Sequence, residues 1–336
     1  MESFTVSALK YRPQNFDQVI GQDQITSTLK NAIETNQLAQ ALLFCGPRGV
    51  GKTSCARILA KAINDKENNS SDNDFAFNIF ELDAASNNSV DDIRKLNDQI
   101  RIPPQIGNFK VYIIDEVHML SLSAFNAFLK TLEEPPKHAI FILATTEKNK
   151  IIPTILSRCQ IYDFKRITVK EIKLFLVEIC NLKKLKFDDD ALILIAQKAD
   201  GAMRDALSIF DRMVSFTSGN LTTAEVSKNL NILDYETFFS VSNLIKENKI
   251  PEILLEFNNI INKGYESLHF INGLANHIRT LILCKDSLTI ELLEVGEKTR
   301  NKYLDQSKTF DFKWLLDALS IIKEAQSNHR FSINKR

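Results

Sequence analysis

The run Gly46-Pro47-Arg48-Gly49-Val50-Gly51-Lys52-Thr53-Ser54 carries the spacing Gly-x-x-x-x-Gly-Lys-Thr. That spacing suits a polyphosphate. Glycines at these points let backbone N–H groups approach anionic oxygens that a Cβ would hold off. Lys52 can reach the β and γ oxygens, and the Thr53 hydroxyl can take a position on Mg2+. A second run, Val111-Tyr112-Ile113-Ile114-Asp115-Glu116, ends an apolar strand in two carboxylates. Beside such a loop, Asp115 would reach the same cation and Glu116 would polarise a water for in-line attack on the γ-phosphate. An Asp-Glu pair alone is ordinarily a solvated strand end; the loop upstream is what gives it a chemical role.

Three further places gain weight only in that company. Leu143-Ala144-Thr145-Thr146 ends an apolar run with hydroxyls that can orient a water or touch a phosphate. Ser157-Arg158-Cys159 sets an arginine just before a strand. Gly201-Ala202-Met203-Arg204 sets another at the start of a helix. Arginine stabilises charge developing on a transferred phosphoryl group, from the same chain or from a neighbouring subunit.

These residues need a frame. Short continuous apolar runs at 41–45, 79–83, 110–114, 139–144 and 159–164 read as strands of a parallel sheet covered on both faces. Helical stretches separate them. One follows the loop from Lys52 to about Ile63. Another opens at Ser89 with Asp91 and Asp92 in its first turn, and a third carries Phe125, Phe128, Leu129 and Leu132 before Pro135-Pro136 stops it. The expected fold is a doubly wound α/β domain over residues 1–165.

After residue 165 the strand signals stop. Thr168–Glu171 and Thr222–Glu225 are capping-box patterns. Gly201 suits the C′ position of a helix marked by Leu192, Ile195, Ala196 and Ala199, and residues 203–216 make the next helix. Pro251 suits a helix start and Gly264 a helix end. Apolar stripes at 268–282 and 312–322 continue the helical pattern. We expect a small helical domain at 166–219 and an all-helical one at 220–336. Residues 64–78 are polar and low in complexity, and read as a surface loop.

Lys and Arg number 42, as do Asp and Glu, so no global field draws nucleic acid to the chain. No apolar run is long enough to span a membrane, and Met1-Glu2-Ser3-Phe4-Thr5 lacks the features of a signal peptide, so a cytoplasmic protein is expected. Cys45, Cys55, Cys159, Cys180 and Cys284 are widely spread, with no Cys-x-x-Cys pair, and read as small buried residues.

Taken together the motifs resemble the AAA+ ATPases, and within them the clamp-loader branch, over nearly the whole chain. Tyr11-Arg12-Pro13 through Phe16, with Val19-Ile20-Gly21-Gln22, is similar to that family's N-terminal box near the nucleotide base. Leu82-Asp83-Ala84-Ala85-Ser86, Asp115-Glu116-Val117-His118-Met119-Leu120 and Phe128 to Pro136 match its other distinctive stretches. The resemblance implies ATP and Mg2+ as cofactors. It implies Gly46 to Ser54 with Arg12 and Arg204 as nucleotide contacts, and Thr53 and Asp115 on the metal. It gives Lys52, Glu116 and Thr146 catalytic parts, with Thr145 the near alternative for the first sensor, and has Arg158 acting in trans. Arg204 corresponds to the second sensor, in a lid domain. The implied partners are other loader subunits in a hetero-pentameric ring held by the C-terminal collar, a sliding clamp, and primer–template DNA. His118 is given no catalytic part.

Two departures follow from the same comparison. Many members carry four zinc-binding cysteines after the first helix; residues 64–78 contain none, so no zinc site is expected. The family pattern also continues past Phe331–Arg336 into a final collar helix and, in some members, into an extension that binds polymerase and helicase. Neither the final helix nor such tethering is expected here. Arg94, Lys95, Arg101 and Lys130 are candidates for contact with DNA phosphates, equally readable as solvated surface cations. Two alternatives stand beside the motor reading. A non-catalytic structural loader subunit would be free to lose Lys52, Thr53, Asp115 or Glu116. Another AAA+ DNA motor, such as a branch-migration ATPase, would not call for Ser157-Arg158-Cys159 and collar-like helices.

Overall fold

The computed structural model describes residues 5–65, 78–105 and 107–329. Most of the polar stretch 64–78, and Phe331–Arg336, lie outside the described residues. The chain forms two compact units, Met1–Ile172 with Ala199–Asp211, and Lys173–Lys198 with Arg212–Arg336.

The first unit is built on five strands, β1 (Ala41–Cys45), β2 (Ile79–Asp83), β3 (Lys110–Asp115), β4 (Ala139–Thr145) and β5 (Gln160–Asp163). They pair in the order β2-β3-β4-β1-β5, all parallel. Each coincides with an expected strand to within a residue. β1 and β4 are buried along their whole length, which is why their sequences show an unbroken apolar run rather than alternation.

Strand side chains alternate between faces, and the two faces form separate cores. Leu43, Tyr112, Ile114, Phe141 and Leu143 pack on one side, against α4 (Val90–Ile100) and α5 (Leu122–Glu133). Leu42, Phe44, Val111, Ile113 and Ile142 pack on the other, with α2 (Asp23–Glu34) and α3 (Lys52–Asp65); the short α1 (Ser7–Lys10) precedes them. Local chemistry fixes the helix starts. Ser89 and Asp92 form a reciprocal capping box on α4, Ser121 caps α5, and Pro153 occupies the first turn of α6 (Pro153–Leu156). Thr168 and Glu171 make the expected box at the head of α7 (Val169–Lys183).

β1 pairs with β4 on one side and β5 on the other, so Cys45 stands level with both Thr145 and Asp163. The chain leaves β1 toward the far edge, and β4 crosses back over β1 to reach β5. Such a reversal opens a crevice at the carboxyl ends of the strands, which is where α/β sheets bind ligands.

The second unit is helical, with α8 (Asp189–Lys198), the end of α9 (Met203–Phe216), α10 (Thr223–Asn229), α11 (Tyr235–Lys246), α12 (Ile250–Asn262), α13 (Ser267–Leu283), α14 (Glu297–Thr309) and α15 (Phe312–His329). Pro251 lies in the first turn of α12, and Gly264 follows its end with a φ of 89°. Three expectations need correction. Two short strands, β6 (Lys186–Phe187) and β7 (Asn220–Leu221), pair in parallel where no strand was expected; two residues are too few to leave a pattern. The bend after α8 is shared by Asp200 (φ 48°) and Gly201 (φ 79°) rather than carried by the glycine alone. Cys159 is only partly buried, while Cys45, Cys55, Cys180 and Cys284 are buried. Burial pushes the Cys45, Cys159 and Cys180 thiols up to about 11 and Cys55 to about 12, which keeps them protonated and unreactive.

Candidate active site

The glycine-rich loop joins the buried end of β1 to the first turn of α3. Gly46 has a φ of 148°, and a Cβ there would lie 2.5 Å from the Phe164 carbonyl oxygen. Its N–H donates to the Thr145 carbonyl at 3.1 Å, tying the start of the loop to the end of β4. Gly49 has a φ of 76°, and a Cβ would meet that of Ala202 at 3.0 Å. Both positions therefore need glycine for conformation and for space. Arg48 is exposed and Val50 is buried.

Lys52 opens α3 and is 6% exposed. Its Nζ donates to the carbonyls of Gly46 at 2.7 Å and Pro47 at 2.8 Å. Burial lowers its pKa, while Glu116 and Asp115 act in the opposite direction. Thr53, one residue on, donates from Oγ1 to Asp115 Oδ2 at 2.7 Å. The other oxygen of Asp115 accepts the Glu116 N–H at 2.9 Å. A hydroxyl and a carboxylate at the foot of a phosphate loop are hard oxygen donors, a set that fits Mg2+. Asp83, level with Asp115 on the neighbouring strand, is occupied locally, accepting from Ala85 N–H at 2.9 Å.

Glu116 is a non-glycine residue in the left-handed region, φ 48° and ψ 42°. That conformation costs about 1–2 kcal/mol, and it turns the chain sharply off β3. The turn brings the carboxylate to the end of β4, where Thr146 Oγ1 donates to Glu116 Oε2 at 3.1 Å. Thr145 is fully buried and accepts the Glu147 N–H at 3.0 Å. Of the two threonines, Thr146 is the one in contact with Glu116. His118 joins this group, with Nδ1 3.1 Å from Thr145 Oγ1 and 3.4 Å from Glu116 Oε2. Sequence reading gave it no part, because only the turn at Glu116 folds it back onto β4.

Two arginines converge from opposite ends of this unit's sequence. Arg12 Nε donates to Ser54 Oγ at 3.3 Å. Burial lowers its pKa, helped by Arg57 and Arg204 and opposed by Glu81 and Asp115. Arg204, at the head of α9, packs its Cβ over Gly49, and its N–H lies 3.4 Å from the Gly49 carbonyl. Gln22, buried, clamps the Lys165 backbone from both amide atoms, donating to its carbonyl at 2.7 Å and accepting its N–H at 3.2 Å.

Arg158 is not part of this group. It ion-pairs with Glu133 at 2.8 Å, donates to the Thr154 carbonyl at 2.7 Å, and its side chain is 35% exposed. Arg94 and Lys95 on α4, Arg101 just after its end and Lys130 on α5 are exposed, and Arg94 pairs with Asp91. Among the described residues, no group of three or more His, Cys, Asp or Glu side chains is placed to hold a metal ion, and no helix is long and apolar enough to cross a membrane.

Two family models match. One is described as DNA polymerase III, delta subunit, over residues 21–168, and the other as DNA polymerase III clamp loader subunit, ATPase lid domain, over residues 171–219. DNA polymerase III subunit tau of Bacillus subtilis is 37% identical, over 97% of this chain and 60% of its own length. The Escherichia coli subunit tau is 40% identical, over 79% of this chain and 43% of its own. The chain therefore spans 60% and 43% of the length of these longer relatives. The Buchnera aphidicola (subsp. Baizongia pistaciae) subunit gamma is 39% identical, over 80% of this chain and 79% of its own length. Among solved structures, the Thermotoga maritima RuvB Holliday junction branch migration motor superposes with a TM-score of 0.53 at 22% identity, covering 71% of this chain and 80% of that one; that likeness is one of fold. Identity at the level of the Buchnera protein, over most of both chains, goes further: the chain belongs to the family of DNA polymerase III gamma and tau subunits.

Proposed function

We propose that this chain is an ATP-hydrolysing subunit of a clamp loader, converting ATP and water to ADP and phosphate to open a sliding clamp and place it on primer–template DNA. The observation that carries the reading is the convergence of Lys52, Thr53, Asp115 and Glu116 at one loop, bridged by the Thr53–Asp115 hydrogen bond. A structural subunit has no need to keep all four in mutual reach.

In this reading the N–H groups of residues 48–54 and Lys52 hold the β and γ phosphates. Thr53 and Asp115 hold Mg2+, which supplies charge neutralisation between the phosphates. Glu116 takes a proton from the attacking water, with Thr146 as first sensor. Arg204 reads the nucleotide from the lid. Arg12 belongs to the same pocket, a reading supported by its Ser54 contact and by the charges of Arg204 and Asp115 around it. Arg158, exposed and held by Glu133, serves the pocket of a neighbouring subunit in the ring. Residues 1–165, 166–219 and 220–336 act as motor, lid and collar. Arg94, Lys95, Arg101 and Lys130 offer sequence-independent contacts to DNA phosphates. ATP and Mg2+ are the cofactors, zinc has no part, and the work is cytoplasmic.

The test is ATP turnover by the reconstituted loader, with and without clamp and primed DNA. Stimulation by the two together supports the proposal. An unresponsive rate favours a structural subunit or a different motor.

A further inference from the structure

His118 sits on the single turn, Val117–Met119, that follows the left-handed Glu116. Its side chain is 6% exposed, and the ring is fitted between two carboxylates. Nδ1 faces Glu116 Oε2 at 3.4 Å and Thr145 Oγ1 at 3.1 Å. Nε2 faces Glu147 Oε1 at 3.4 Å. Glu147 is anchored in turn: its N–H donates to Thr145 Oγ1, and its Oε1 accepts from Lys150 Nζ at 2.9 Å. Among the described residues, both contacts on the Glu116 carboxylate fall on Oε2, one from Thr146 and one from His118.

We infer that His118 is a positioning residue: it holds the Glu116 carboxylate against the end of β4, so that the remaining oxygen, Oε1, is presented to the attacking water. This rests on the reading of Glu116 as the base. The chemistry favours imidazole at this point. Two opposed nitrogens are needed to span two carboxylates, and only a planar ring of this size places them. Nδ1 stands 3.4 Å from Oε2, on the same side as Thr146, so the ring and the hydroxyl together fix which way the carboxylate faces. An aliphatic residue would leave Glu116 and Thr145 without that polar partner. The left-handed backbone at Glu116 is the cost of the arrangement, since an α or β conformation there would carry His118 away from β4.

The experiment uses the full chain in the reconstituted loader, with three variants. His118→Asn keeps a nitrogen near Nδ1, His118→Gln keeps one near Nε2, and His118→Ala keeps neither. We expect His118→Ala and His118→Gln to lower kcat roughly 10- to 100-fold with KM for ATP unchanged, as for a base moved by a fraction of an ångström. We expect His118→Asn to retain most of the activity. An unchanged kcat in His118→Ala, equal losses in the Asn and Ala variants, or a loss carried by KM overturns the inference. A second readout needs no turnover. Nitrogen NMR of the His118 ring, in nucleotide-free protein, should show the Nδ1 resonance moving on Glu116→Gln; no movement overturns the contact itself. If that resonance moves but the wild-type loader has no ATPase activity, the motor reading fails and the contact stands.

Discussion

The Thr53 hydroxyl donates to Asp115 across 2.7 Å, joining the first turn of α3 to the last residue of β3. Neither residue is near the other in sequence. They meet because β3 and β1 are both parallel strands flanking β4, with their carboxyl ends on one edge of the sheet. The glycine-rich loop and a strand that ends in carboxylates are thereby held at hydrogen-bond distance of one another, the fixed geometry that electrostatic catalysis requires.

Glu116→Gln removes the proposed base while keeping the shape of the side chain and its ability to bond Thr146. ATP affinity should stay near wild type. Turnover should fall by about 10²- to 10⁴-fold, the usual worth of a general base. Rapid-quench measurement of phosphate release beside a nucleotide-binding titration separates the two effects.

Arg158→Ala should slow hydrolysis only in the assembled ring, by about 10³-fold or more if it behaves as other arginine fingers do. Its present partners, Glu133 and the Thr154 carbonyl, belong to the same edge of the chain and not to the phosphate loop. Comparing isolated chain with assembled loader checks this; an equal loss in both would place the arginine in its own subunit's pocket.

Phe141 lies at the centre of β4 with no exposed surface, edge-on to Phe128 at 5.4 Å and stacked on Tyr112 at 5.7 Å. Phe141→Ala should destabilise the sheet unit by about 3–5 kcal/mol through lost burial and the cavity left behind. Denaturant unfolding, followed by a probe in that unit, measures it. The arginine and glutamate variants above should leave this transition where it is.

His277 is buried in the helical unit. Nε2 lies 2.9 Å from Gln306 Oε1, and Nδ1 lies 3.0 Å from the Tyr303 hydroxyl. Gln306 spends its NH2 on the Phe239 carbonyl and Asn243, so its oxygen must face the ring and Nε2 carries the proton. Burial lowers the pKa to about 4, with the Gln306 bond acting weakly the other way. Between the unfolded value near 6.5 and the folded one, only the unfolded chain binds the proton. Stability is therefore complete above pH ~6.5 and falls as pH drops toward 4, by on the order of 3 kcal/mol in total. His277→Gln should flatten this part of the pH profile relative to wild type, read as the difference between the two denaturation series.

The strands and the phosphate loop were legible in the sequence because the forces that fix them are local. A fully buried parallel strand must be apolar throughout, and Gly46 and Gly49 have backbone conformations few other residues adopt. The N-caps at Ser89, Thr168 and Thr222 were equally plain, since both partners lie within one turn; at Thr222 only the side-chain half of the expected box forms, its N–H going to the Asn220 carbonyl. Helix α14 shows the opposite case. Its inward positions are Thr299, Tyr303, Gln306 and Ser307; only Tyr303 joins the apolar core and the other three are hydrogen-bonded polar residues, so no hydrophobic period marks it. His118 was illegible for a related reason: its partners come from β4 and the turn after it, and only the left-handed residue before it brings them together.

The central claim is that a nucleotide triphosphate sits between the glycine loop and the carboxylate strand end, neutralised by Lys52. Equilibrium binding of ATP with Mg2+ to the full chain and to Lys52→Ala tests it most directly. The account predicts saturable binding by the wild type and loss of detectable binding in the variant, both proteins being folded by circular dichroism. Equal affinity in the two would contradict it.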